Sequence, residues 1–94
     1  MKLISITRSD KPDKKFKALF DMGNTKKTVY FGASGYKDYT MTHDDEKKRL
    51  YLIRHKANEN WNDPTSPGSL ARYILWNKPT LRESITDFKR RFNL

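Results

Sequence analysis

Ninety-four residues carry twenty Lys and Arg against eleven Asp and Glu, for a formal charge of +9, and include no cysteine. The lack of thiols excludes disulfides, thiolate metal sites and a cysteine nucleophile, and no apolar run approaches the roughly 20 residues of a membrane span. A hydrophobic share of 35% raises disorder as an alternative, but the 13% of aromatic residues recurs at periodic positions and suits a small core.

The length fits a single domain over residues 1–94. The N-terminal stretch MKLISITRSDK is too short and polar for a signal peptide, so the expected setting is not secreted. The charge makes polyanions the first candidates for a partner, with solubility alone as the competing explanation.

Lys2 to Thr7 suits a strand with Ile4 and Ile6 on one face, and Arg8 to Asp13 reads as a turn around Pro12. In Lys14 to Met22, Phe16, Ala18 and Phe20 alternate with Lys15, Lys17 and Leu19, the period of a half-buried strand. Gly23-Asn24 signals a turn, and Lys27 to Phe31 is β-branched and aromatic. Residues 1–31 therefore predict a three-stranded antiparallel meander. Gly32-Ala33-Ser34-Gly35 ends the sheet; its GxxG spacing invites comparison with a phosphate-clamping loop, but it follows a strand, and an exit turn accounts for it. Tyr36 to Met41 reads as short and extended.

Three helices are predicted after the sheet, over 42–61, 67–77 and 80–92. Thr42 would cap the first, with Leu50, Ile53, Ala57 and Trp61 as its apolar stripe. Ser66 caps the second with Pro67 at its first position, and Leu70, Ala71, Ile74 and Leu75 form its buried face. Thr80 and Glu83 form a capping box for the third, whose stripe is Leu81, Ile85, Phe88 and Phe92. The fold class is α+β. Glu59 to Leu81 holds both tryptophans, and Trp61, Pro67, Tyr73, Trp76, Pro79, Thr80 and Glu83 are read as a structural hub joining the helices.

Charge is unevenly placed. Residues 2–31 carry +5, residues 32–46 carry −3 and residues 47–94 carry +7. The acidic run Asp44-Asp45-Glu46 is explained by a helix N-terminus. Most of the hairpin lysines Lys14, Lys15, Lys17, Lys26 and Lys27 lie opposite a Phe face, which leaves the rings for the core and the lysines for phosphates or for edge protection. A second basic set is Lys47, Lys48, Arg54, Lys56, Arg72, Lys78, Lys89, Arg90 and Arg91; convergence on one face and an ordinary solvated surface are equally open readings.

Catalysis has few parts to work with. His43 and His55 fall near opposite ends of one predicted helix and cannot share a metal. Asp38 with Glu46 and Lys47 has a distant likeness to a metal-dependent nuclease pattern, without the strand that pattern needs. No nucleophile–base set or phosphate loop is evident, so the expectation is a non-enzyme with no metal, no cofactor, no membrane contact and no small-molecule substrate.

The segments VYFGASGYKDYT and KKRLYLIRHKANENWNDPTSPGSLARYILWNKPTLRESITDFKRRF, from about Thr28 to Phe92, resemble a family of small basic proteins of unknown function from large nucleocytoplasmic DNA viruses of algae and protists. FGASGY, RHKANENW, ILWNKPTL and DFKRRF are the most specific pieces. The family brings no activity to transfer. The resemblance implies a protein of the virion and of the infected cell, in cytoplasm or nucleus. The expected partner is nucleic acid, DNA ahead of RNA, with other virion proteins as the alternative partner of a minor structural component.

Overall fold

Period-two patterning builds the N-terminal third into a sheet, and the computed structural model, which describes all 94 residues, shows how it is closed. Strands β1 (Lys2–Arg8), β2 (Lys14–Asp21) and β3 (Lys26–Ala33) form an antiparallel sheet in the order β1-β2-β3. Helices α1 (Tyr39–Thr42), α2 (Asp45–Lys56), α3 (Pro67–Leu70) and α4 (Leu81–Arg91) follow, with a π turn (Ala71–Leu75) continuing α3. The α+β class and the leading antiparallel sheet are as expected. The radius of gyration, 12.7 Å, matches the roughly 12–13 Å of a packed chain this long.

One face of the sheet is the core floor. Leu3, Ala18, Phe20, Val29 and Phe31 meet Leu70, Ile74 and Leu75 from α3 and the π turn, and Phe88 from α4. The expected face of β1 is corrected. Leu3 pairs with Phe20 and Ile6 with Ala18, but the register shifts between Leu3 and Ser5. The bulge leaves Ile4 47% exposed and lets Leu3 and Ile6 both reach the core. Phe20 is wholly buried, whereas Phe16 is only half-buried at the end of β2, stacked on Phe31 at 5.9 Å.

The first helix departs most from expectation. The second half of the stretch expected to be extended, from Tyr39, is instead the start of the short α1, capped by Asp38, whose carboxylate accepts from the Thr40 amide at 3.0 Å. His43, at φ 54°, ends it in the left-handed region. Asp44 then caps α2 by accepting from the Lys47 amide at 3.1 Å; Thr42 does not cap it, because it is already the last residue of α1. The two histidines thus belong to different elements. Helix α2 stops at Lys56, so Trp61 lies in the following loop. Its expected stripe is also overturned: Leu50 and Ile53 are 43% and 60% exposed, and Tyr51 is the buried residue.

The C-terminal half follows its signals more closely. Ser66 caps α3 and Pro67 opens it. After Leu70 the winding loosens to i→i+5, with the Trp76 amide donating to the Ala71 carbonyl at 3.2 Å. The extra residue lets Leu70, Ile74 and Leu75 all bury and turns Trp76 toward α2. The Thr80 hydroxyl accepts from the Glu83 amide at 3.2 Å and starts α4. Phe88 is fully buried there, flanked by half-buried Leu81, Ile85 and Phe92.

Candidate nucleic-acid interface

The expected hub is an aromatic and cationic ladder whose centre is Tyr51. Its ring lies between Trp76, at 4.4 Å and 5° from parallel, and His55, at 4.1 Å. Burial raises the Tyr51 phenol well above its usual range, so it stays neutral. Glu59 accepts from the Trp61 indole at 2.9 Å and sits 2.9 Å from His55 Nδ1, tying the loop after α2 to that stack. Arg72 lies over Trp61 and Tyr73, and Arg91 over Tyr73. Trp61, Tyr73 and Trp76 are therefore half-covered by neighbours. Pro79 lies in the exposed loop before Thr80.

Much of the expected basic surface is taken up internally. Lys15 pairs with Asp38 at 2.7 Å with its side chain 13% exposed. Lys17 lies 3.7 Å from Asp10. Lys48 donates to the Asn77 carbonyl at 2.6 Å, and burial together with Arg72 lowers its pKa. Arg72 donates to the Trp76 carbonyl at 3.0 Å; its pKa is lowered by burial, and its Nε has no partner. Arg90 and Arg91 reach Asp87 at 3.1 and 3.3 Å. Lys27 reaches Thr65 at the far end of the hairpin beside Lys26, and Lys56, Lys78 and Lys89 are dispersed on the surface.

A different set of cations does converge. Two clefts, of about 680 and 870 Å³, lie side by side along a shared wall of Lys14, Lys15, Tyr36, Lys37 and Asp38 and make a two-part groove. It runs past the ends of β2 and β3, the GASGYKD segment, α1 and α2. Arg8, Lys11, Lys14, Lys37, Lys47 and Arg54 line it, and none has a carboxylate within ion-pair distance. The only carboxylates in its walls are Asp38, held by Lys15, and Glu59, held by Trp61 and His55. Apolar wall comes from Phe31, Leu50, Tyr51 and Trp76 on one side and Phe16 on the other. Of the expected contact residues only Lys14, Lys47, Arg54 and the paired Lys15 belong to this groove.

Lys14 was among the hairpin lysines offered to phosphates, whereas Arg8, Lys11 and Lys37 were not singled out. Lys37 sits in the segment that sums to −3, yet the carboxylates responsible are occupied elsewhere. Asp44 caps α2, Asp45 accepts from Tyr39 at 2.7 Å, and Glu46 pairs with Arg49. The adjacency of Tyr36 and Lys37 just after a glycine turn was the available signal. The exit turn expected over the whole GASG stretch is confined to Ser34-Gly35, because β3 runs on through Gly32 and Ala33; Gly32 and Gly35 have positive φ, and the stretch forms part of the groove wall. No group of three His, Asp or Glu residues is placed to hold a metal ion. No helix is long and apolar enough to cross a membrane.

Residues 4–55 match the model of a family described as "Family of unknown function (DUF5754)". The chain is also 32% identical over 80 residues to "Uncharacterized protein L851" of Acanthamoeba polyphaga mimivirus, covering 78% of this chain and 80% of that protein. No solved structure matches it. The chain belongs to this family of unknown function and has a relative in a virus. The family match begins earlier and ends earlier than the resemblance read from Thr28 to Phe92, and it spans all six free cations of the groove.

Proposed function

We propose that this chain, a member of a family of unknown function with a relative in a virus, is a nucleic-acid-binding accessory protein. It contacts phosphates through Lys and Arg without reading sequence. The observation that carries this reading is the groove, where six cations without carboxylate partners line two clefts with a common wall. Unpaired cations held together repel one another, and a polyanion removes that repulsion while releasing its own counterions. DNA ranks ahead of RNA because the resembled family belongs to DNA viruses. The setting that follows is the virion and the infected cell, and no catalytic step is assigned to the protein.

The test is titration of labelled oligonucleotides at several salt concentrations. Binding should be micromolar or tighter at low salt and weaken steeply as salt rises. Lys47→Ala with Arg54→Ala should weaken it at least tenfold, while Lys89→Ala, away from the groove, should change it less than twofold. Absent binding at low salt overturns the proposal. A second reading, a minor structural protein acting through protein contacts, is favoured by the exposed Met41, Leu50 and Ile53. It would be taken up if nucleic acid fails to bind and the protein self-associates or captures a virion protein through α2.

A further inference from the structure

The geometry points to single-stranded rather than duplex nucleic acid as the ligand of the groove, with a base stacked on Tyr36. This rests on the nucleic-acid reading above and narrows it.

Tyr36 is 73% exposed, the most exposed of the large apolar or aromatic side chains. It follows Gly35, whose φ of +85° belongs to the turn after β3. Its ring stacks on no other aromatic ring, it carries no cation over its face, and its hydroxyl has no hydrogen-bond partner, so packing does not account for it. The other tyrosines contrast with it. Tyr30 and Tyr39 donate to Asp10 and Asp45, Tyr51 is sandwiched, and Tyr73 is edge-on to Phe92.

Tyr36 also stands where the two clefts join, since it lines both of them together with Lys14 and Lys37. Each cleft adds cations of its own, Lys47 and Arg54 in one and Arg8 and Lys11 in the other. An aromatic platform midway along a track of cations is the arrangement a single strand uses, with phosphates on the charges and an unstacked base on the ring. A duplex presents its bases only at groove edges and is read by an element that protrudes into it. Here the cations line two clefts on either side of a common wall, which a flexible strand can follow and a rigid duplex meets only at their rims.

The experiment compares an unstructured single strand with a duplex of equal length, using wild type, Tyr36→Ala and Tyr36→Phe. The single strand should bind at least tenfold more tightly than the duplex. Tyr36→Ala should weaken single-strand binding about 5- to 150-fold and Tyr36→Phe less than about twofold, as stacking by a ring face requires. A strand with abasic sites throughout should bind wild type and Tyr36→Ala alike. Thermal unfolding should be unchanged in both variants, because Tyr36 covers no core. Equal or tighter binding of the duplex overturns this inference, as does a Tyr36→Ala protein that holds the single strand as tightly as wild type. Either result leaves the phosphate-binding reading standing. Failure of every oligonucleotide to bind at low salt removes both.

Discussion

Asp87 is a buried carboxylate that three side chains keep charged. Burial opposes its ionisation, but hydrogen bonds from Asn77 at 2.7 Å and from Arg90 and Arg91 outweigh it, so its pKa lies below the ordinary value. Its folded pKa is depressed. The stability it contributes is therefore present above the unfolded value of about 3.9 and is lost as pH falls through the lower folded value. Asp87→Ala leaves Asn77 without its partner and should cost about 1–3 kcal/mol in urea unfolding at pH 7. The gap between variant and wild type should stay constant down to about pH 5 and shrink below about pH 4. No sequence pattern announced this residue. Asn77 and Asp87 are ten positions apart, and they meet only because the chain reverses between the π turn and α4.

Helix α2 stands at the margin of the core and is held through Tyr51. Tyr51→Ala removes the central ring of the His55–Tyr51–Trp76 stack. Amide protection across residues 45–56 should then fall roughly 100-fold in hydrogen exchange, while amides of β2 and β3 change less than about tenfold. The apolar spacing of α2 suggested Leu50 and Ile53 as its inner face, and the structure turns it by one residue. Spacing locates a stripe but cannot weigh it, and a tyrosine that stacks on both faces buries more surface than a leucine. At the end of β3, Gly32 has φ +81°, and a Cβ there would stand 2.9 Å from Leu75 Cδ1. Gly32→Ala should cost about 1–3 kcal/mol by thermal or urea unfolding, since both backbone and packing must shift. The alternation of Phe16, Ala18 and Phe20 was legible, as were the Ser66-Pro67 and Thr80 starts, because each depends on residues close in sequence.

Across the whole molecule the charge of +9 divides into spent and unspent parts. Cations at Asp38, Asp87 and the carbonyls of Trp76 and Asn77 serve the fold. Arg8, Lys11, Lys14, Lys37, Lys47 and Arg54 of the groove have no carboxylate partner, Arg8 and Lys11 lying instead over the rings of Phe16 and Tyr30. If all six groove cations contact a single strand, the log–log salt slope should approach about −4, at roughly 0.7 for each contact. Lys47→Ala with Arg54→Ala should make it shallower by about 1.4, and an unchanged slope would place the contacts elsewhere. Net charge alone made a polyanion the natural partner. It could not say which lysines were free, because their pairing depends on residues up to 38 positions away, as between Lys27 and Thr65.

What lies within a few residues along the chain was decided by the chain itself. Strand alternation, the caps at Ser66 and Thr80, the α+β order and the overall charge all arise from local geometry and simple sums. The bulge in β1, the rotation of α2 onto Tyr51, the π turn and the groove at Tyr36 were decided by tertiary structure. Each depends on which distant side chain fills a space or neutralises a charge, and only packing the sheet against α3, the π turn and α4 settles that.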